Sequence, residues 1–231
     1  MMFNKLTKED FQKLESMLPG RVLDGKQINE DYYHDELGTA FGVPEVLVKV
    51  LSTEDVAAVM KLAYERSIPV VVRGSGTGLV GGAVAINGGI MLDTSAMKKV
   101  IELDENNLTV TVQSGLLLME LAAYCDEHGY QYCPDPGEKS ATIGGNISTN
   151  AGGMRAVKYG VTRDAVRAIT AVLPTGEIMR FGSKVVKNSS GYDLKDLIIG
   201  SEGTLAVVTE ATLKIIPKPE YAISILVPFS S

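Results

Sequence analysis

Apolar residues recur at two spacings along this chain. Phe11, Leu14, Met17 and Leu18 fall on one helical face behind Thr7, a residue suited to an N-cap, and Pro19-Gly20 stops the run, so a helix is predicted over 7–18. Ser52-Thr53-Glu54-Asp55 caps a second helix with Val56, Val59, Met60 and Ala63 on one face, ended by Pro69. Leu117, Leu118, Leu121, Ala122 and Cys125 trace a third, which closes at His128-Gly129, where glycine suits a left-handed cap. His128 reads as a helix-end residue. Elsewhere the apolar runs are short and β-branched. Val46 to Val50, Val70 to Val72 and Ile90 to Asp93 read as strands, the first two joined by the second helix as a βαβ unit. Two hairpins are expected, one turning at Asp104-Glu105-Asn106-Asn107 and one at Pro174-Thr175-Gly176. Leu205 to Ile216 is a long β-rich segment, and Ala222 to Val227 begins a further strand. Asp31 to Glu36 is a loop whose tyrosines are expected to pack. Few helices and many strands make the class α+β, with small mixed or antiparallel sheets.

The Val70 strand runs into Arg73-Gly74-Ser75-Gly76-Thr77-Gly78-Leu79-Val80-Gly81-Gly82, which holds five glycines in nine residues from Gly74. Such a run lets main-chain N–H groups turn toward one point without intervening Cβ atoms, and converging N–H groups make an anion site. The spacing Gly76-x-Gly78-x-x-Gly81 satisfies a dinucleotide fingerprint, but that fingerprint needs the glycines to open a helix, and Gly81 to Gly89 is too glycine-rich for one. A phosphate-binding lysine loop fails as well, since no Gly-Lys-Ser/Thr closes the run. A second constellation, Pro134-Asp135-Pro136-Gly137 followed by Ser140 to Gly153, is expected as a loop lining a ligand slot. A third, Gly200-Ser201-Glu202-Gly203, precedes a strand, and Glu202 is placed to accept hydrogen bonds from ribose hydroxyls. Three separated glycine clusters suit one extended ligand touched by backbone along its length, such as a dinucleotide.

Composition narrows the classes. The 231 residues are 45% apolar, enough for a real core, and the net charge of −6 provides no basic field for nucleic acid. Two cysteines eight apart and two histidines, His34 and His128, are too few soft ligands for a closed zinc site, so no metal is expected. No hydrophobic leader or membrane-spanning stretch is read, and a cytoplasmic location is expected, free or peripheral to a membrane-associated electron-transfer complex.

Arg73-Gly74-Ser75-Gly76-Thr77-Gly78, Pro134-Asp135-Pro136-Gly137, Thr142-Ile143-Gly144-Gly145-Asn146, Asn150-Ala151-Gly152-Gly153, Lys158-Tyr159-Gly160 and Gly200 to Leu205 occur in that order. Together they resemble the FAD-binding domain of the vanillyl-alcohol-oxidase type of flavoproteins, most nearly the FAD-linked subunit of glycolate oxidase, D-lactate dehydrogenases and D-2-hydroxyglutarate dehydrogenases. The resemblance covers roughly residues 30 to 220 and implies two α/β lobes with small mixed sheets, about 43–103 and 104–220, after an N-terminal helix and loop over 1–42.

By that resemblance, Arg73, Gly74, Ser75, Gly76, Thr77, Gly78 and Leu79 form the loop that holds the FAD pyrophosphate. Pro136, Thr142, Gly144, Gly145, Ser148, Thr149 and Gly152 line the flavin's inner end and ribityl chain, while Glu202, Gly203 and Val208 border the adenosine. Relatives that attach FAD covalently in the first loop carry a histidine where this chain has Thr77, so non-covalent FAD is implied. The implied reaction is hydride transfer from a D-2-hydroxy acid of the glycolate or D-lactate type to FAD, with electrons passed to an acceptor or partner subunit. Full-length relatives carry their active-site histidines and substrate-binding arginine in a further domain, so residues 221–231 are expected to begin a substrate domain that is missing, and this chain by itself to be inactive. Catalytic residues are left unassigned; Lys158 and Tyr159 are the candidates, beside Arg155 and Arg163, against a plain solvated basic loop. The alternatives are a non-catalytic FAD-binding module acting with a partner chain, and a UDP-N-acetylenolpyruvoylglucosamine reductase-like enzyme.

Overall fold

The computed structural model describes residues 3–221 and 223–229. Its first lobe opens with α1 (Lys8–Met17), capped as the sequence predicts: Thr7 accepts from the Asp10 N–H while the Asp10 carboxylate accepts from the Thr7 N–H. After β1 (Val22–Asp24) and a single 3-10 turn (Glu30–Tyr32) come β2 (Val46–Lys49), α2 (Thr53–Arg66), β3 (Val70–Arg73) and β4 (Ile90–Asp93). These strands form one sheet in the order β1-β2-β4-β3, antiparallel only at β1. The βαβ unit forms, and β4 takes the place between its two strands. Helix α1 and strand β1 pack on this lobe: Leu14 and Leu18 are buried with Val56, Val59 and Leu62 of α2, and β1 edges the sheet. Leu14, Val56 and Val59 are among its fully buried residues, and at about 1.5 to 3 kcal/mol each such burial outweighs any single surface interaction here.

The second lobe is built on a six-stranded sheet. Its strands are β5 (Val100–Asp104), β6 (Thr109–Gln113), β7 (Tyr130–Tyr132), β8 (Val166–Val172), β9 (Ile178–Gly182) and β10 (Val207–Pro217). β10 is the spine, pairing antiparallel with β6, β8 and β7. Both predicted hairpins form, β5–β6 and β8–β9. The third predicted helix is α3 (Leu118–Glu127), and Gly129 behind it adopts φ +80°. Short helices α4 (Ile143–Thr149), α5 (Ala156–Tyr159), α6 (Thr162–Ala165) and α7 (Leu194–Ile198) fill the connections. The two lobes share a core, because Val172 and Val207 pack among the α2 and β2 side chains, and Thr53 donates to Thr209 at 2.9 Å in a buried contact between them.

Two expectations are corrected. The stretch expected as a loop from Ser140 to Gly153 contains α4. Two helical glycines cost about 2 kcal/mol relative to alanine, but Thr142 caps the helix and the fully buried Ile143 and Ile147 return more than that. Residues 223–227 form no strand, since no described strand pairs with them, and Ala222 lies outside the described residues. The side chains of Ile223, Ile225 and Leu226 are exposed.

Candidate functional site

Between the lobes lies a cavity of about 490 Å³, a size usual for organic ligands. One wall is the end of β3 and the loop from Gly74 to Ala83; the other is α4 with its approach, the turn at Glu202-Gly203 and the start of β10. As predicted, Gly74 to Gly89 form no helix and turn by left-handed glycines, Gly76 and Gly81 both at φ +78°.

Glycine is required where the walls meet. A Cβ on Gly74 would overlap the Thr142 hydroxyl, and one on Gly144 would stand 2.7 Å from the Ser114 Cβ. Thr142 caps α4 by accepting from the Gly145 N–H at 3.2 Å. The helix is then tightened from within, as the Ser148 hydroxyl donates to the Gly144 carbonyl and the Thr149 hydroxyl to that of Gly145. Glu202 adopts φ +53°, uncommon for a side-chain-bearing residue, and its N–H donates to the Ser148 carbonyl at 2.8 Å, which ties the third glycine cluster to α4.

Of the residues singled out from sequence, Gly74, Ser75, Gly76, Thr77, Gly78, Leu79, Pro136, Thr142, Gly144, Gly145, Ser148, Thr149, Glu202, Gly203 and Val208 line this one cavity. Four do not. Gly152 sits against Val161. Lys158 and Tyr159 lie on α5, away from the walls, with the ammonium 4.8 Å from the tyrosine ring centroid. Arg73 is turned behind the loop: its Nη1 donates to the His34 and Ala83 carbonyls and its Nη2 to that of Asp31. Burial pulls the Arg73 guanidinium below its ordinary value, against the upward pull of Tyr32, Asp93, Asp35 and Asp31. Burial and the neighbouring Asp93 push the Tyr32 phenol up to about 12, so it stays neutral and donates to Asp93. Packing is indeed what the tyrosines do, with the Tyr33 ring edge-on to Phe41 at 5.7 Å.

Sequence reading missed Thr94, Ser114, Glu138, Asn146, Ala206 and Val207, which also line the cavity. Ser114 and Ala206 carry no local signal, whereas Asn146 closes the Thr142 to Asn146 motif. The Ser114 Oγ and the Asn146 Nδ2 are buried with no hydrogen-bond partner in the protein, a costly arrangement unless a ligand completes it. Two orphaned polar groups, a glycine wall that a single Cβ would close and a run of main-chain N–H groups together suit a long polar ligand with a phosphate segment.

A model described as the FAD binding domain matches residues 44–182. The chain belongs to the FAD binding domain family. Among curated proteins it is 55% identical to a D-lactate dehydrogenase of Anaerostipes hadrus over 99% of this chain and 48% of that protein. It is 43% identical to the glycolate oxidase subunit GlcD of Bacillus subtilis over 82% of this chain and 40% of the relative. Against the mitochondrial D-2-hydroxyglutarate dehydrogenase of Danio rerio the identity is 37%, over 94% and 41%. An alkyldihydroxyacetonephosphate synthase structure superposes with a TM-score of 0.82 at 26% identity, over 96% of this chain and 42% of that one. The chain thus spans about half the length of the curated relatives it matches. FAD is the cofactor, and the α+β fold with two lobes is that of the vanillyl-alcohol-oxidase type. Among the described residues no helix is long and apolar enough to cross a membrane, and no group of His, Cys, Asp and Glu is arranged to hold a metal.

Proposed function

We propose that this protein is the FAD-binding part of a dehydrogenase that oxidises a D-2-hydroxy acid of the lactate or glycolate type and passes the electrons to a separate acceptor or partner subunit. The observation that carries the reading is the interlobe cavity, in which three glycine segments far apart in sequence form one wall system with buried, unpartnered polar atoms. The relatives' names supply the substrate class.

In this reading Gly74 to Leu79 hold the diphosphate through main-chain N–H groups. Pro136, Thr142, Gly144, Gly145, Ser148 and Thr149 receive the flavin and ribityl end, while Glu202, Gly203 and Val208 border the adenosine. FAD, when bound, supplies the hydride acceptor; the protein's part is to fix its position and keep its reactive face accessible. The charged residues lining the cavity are Glu138 and Glu202, and neither is a cation for a substrate carboxylate. That cation and the base for the hydroxyl proton therefore lie outside this cavity's lining. A cytoplasmic location, free or peripheral to a membrane-associated electron-transfer complex, goes with this reading.

The test is the visible absorption spectrum of the purified protein, taken before and after acid precipitation, with FAD added back. A flavin spectrum recovered in the supernatant is expected, because Thr77 lacks the imidazole through which covalently attaching relatives hold FAD. A folded protein that takes up no flavin from excess FAD would overturn the site assignment. A panel of D-2-hydroxy acids with an artificial electron acceptor, run on the full-length protein, tests the substrate class.

A further inference from the structure

The cavity presents an electrostatic puzzle. Its lining contains no lysine, arginine or histidine, only Glu138 and Glu202 as charged residues, although the ligand assigned to it carries a diphosphate. The cation nearest the glycine loop is Arg73, 6% exposed and hidden behind it, so close under the loop that a Cβ on Gly76 would overlap its Nη2. Its hydrogen-bond partners are three carbonyl oxygens, of Asp31, His34 and Ala83, rather than carboxylates. The carboxylates of Asp31, Asp35 and Asp93 are near enough to act on it, yet none makes a contact ion pair with it: Asp35 accepts from the N–H groups of Gly81 and Gly38, and Asp93 from the Tyr32 hydroxyl and the Ser95 N–H. The Tyr32 ring, 5.3 Å from the guanidinium carbon, shields a further side. The charge is thus buried under the back of the loop, makes no contact ion pair, and offsets the three carboxylates that would otherwise face the anion from behind.

We propose that Arg73 is a positioning residue for the diphosphate: its fork fastens residues 31–34 and Ala83 around the glycine loop, and its charge acts through the bare backbone at Gly76 on the anion held in front. A buried charge in weakly polarisable surroundings acts over such distances far more strongly than an exposed one, and glycine keeps the separation short. The inference rests on the assignment of Gly74 to Leu79 to the diphosphate. It also accounts for an arginine at the strand end that makes no contact with the cavity. A purely structural brace would need the fork but not the charge.

That difference is measurable. FAD binding to the apoprotein, followed by flavin fluorescence, is competed with ADP and with adenosine in the wild type, Arg73→Lys and Arg73→Gln, each first checked for folding by circular dichroism. The readout is the ratio of ADP to adenosine affinity. We expect Arg73→Lys to keep most of the ratio and Arg73→Gln, neutral but still able to donate to a carbonyl, to lower it about tenfold, a difference of about 1.4 kcal/mol, with adenosine affinity little changed. Equal ratios in the lysine and glutamine variants would overturn the role of charge, and a wild-type ratio kept in both would overturn the proposal entirely. Should Arg73→Gln fail to fold, Arg73→Met is read in its place. A wild type that binds FAD yet shows no preference for ADP over adenosine refutes the diphosphate assignment itself, a failure distinct from that of Arg73.

Discussion

The two walls of the cavity hold their shape by different means. In the second lobe the wall is α4, whose first N–H groups are already bonded, to the Leu116, Ser114 and Thr142 carbonyls and the Thr142 hydroxyl, and whose turns are tightened by Ser148 and Thr149. In the first lobe, N–H groups are presented by a glycine loop with no regular hydrogen bonding of its own, so its shape has to be imposed from behind. Asp35, 2% exposed, accepts from the Gly81 and Gly38 N–H groups, the Glu36 N–H donates to the Gly78 carbonyl, and Arg73 closes the arrangement. A glycine-rich wall therefore depends on residues that never face the ligand, whereas a helical wall carries much of its support within itself.

The contrast predicts where distant substitutions hurt. Asp35→Ala leaves the half-buried Gly81 N–H unsatisfied, while the exposed Gly38 N–H keeps its bond to the residue 35 carbonyl, and should destabilise the protein by about 1 to 3 kcal/mol, with FAD affinity falling alongside. Ser148→Ala, although in the cavity wall, removes one hydroxyl that donates to a carbonyl already inside a helix, and should cost under about 1 kcal/mol. Urea unfolding and an FAD titration on both variants decide the point. An Asp35→Ala protein as stable as Ser148→Ala would break the comparison.

Where the walls touch, they should couple. Gly74→Ala forces a methyl group against the Thr142 hydroxyl and should cost about 1 to 3 kcal/mol as overpacking, with loss of flavin uptake. Thr142→Ala removes the α4 cap for about 1 kcal/mol. The double variant should lose less than the sum, since removing the hydroxyl makes room for the methyl; strict additivity would mean that the two walls relax independently.

Much of this was legible in the sequence. Helices α1, α2 and α3 have caps and a single apolar face, and both hairpins have turn residues between β-branched runs, so local chemistry and tertiary demand agree there. Helix α4 was not legible, because Gly144, Gly145, Asn146 and Ser148 have poor helix propensity and the burial of Ile143 and Ile147 that holds them is a tertiary fact. Strand β1, three residues long, exists only because β2 pairs with it. The glycine cradle could be read from composition, but the orientation of Arg73 could not. Beside a phosphate loop an arginine suggests a ligand contact, and only the position of Asp31 and His34, some forty residues earlier, turns its fork away.

Acid should loosen the first lobe before the second. Burial alone would raise the Asp10 carboxyl, but Thr7 and Arg66 outweigh it and hold the group below its usual value. At Asp55, burial is likewise outweighed by Arg21, the Leu51 N–H and Ser52. A carboxyl depressed in the folded state stabilises fully above its unfolded value, and that stabilisation drains away as pH falls through the folded value, hence below about pH 4. Both groups anchor α1 and α2. Hydrogen exchange compared at about pH 6 and pH 3, corrected for intrinsic rates, should therefore show protection lost in α1 and α2 before β6 and β10; simultaneous loss would mean that the shared core, rather than these carboxylates, sets the acid limit.

The smallest expected effect concerns the second lobe's thiols. Burial pushes Cys125 up to about 11, and Cys133, buried at 8% exposed, is also raised although Lys214, Arg155 and Lys158 pull the other way. At pH 8 both are thiols rather than thiolates, so an alkylating reagent should modify neither in the native protein. Both cysteines lie in this lobe, Cys125 in its core and Cys133 just after β7, so alkylation in rising urea reports its opening alone. With a self-supported wall, the reaction should begin only at the global transition. Modification at a lower urea concentration, without loss of α1 and α2 signal, would show that the helical wall opens first and that the braced loop belongs to the more durable lobe.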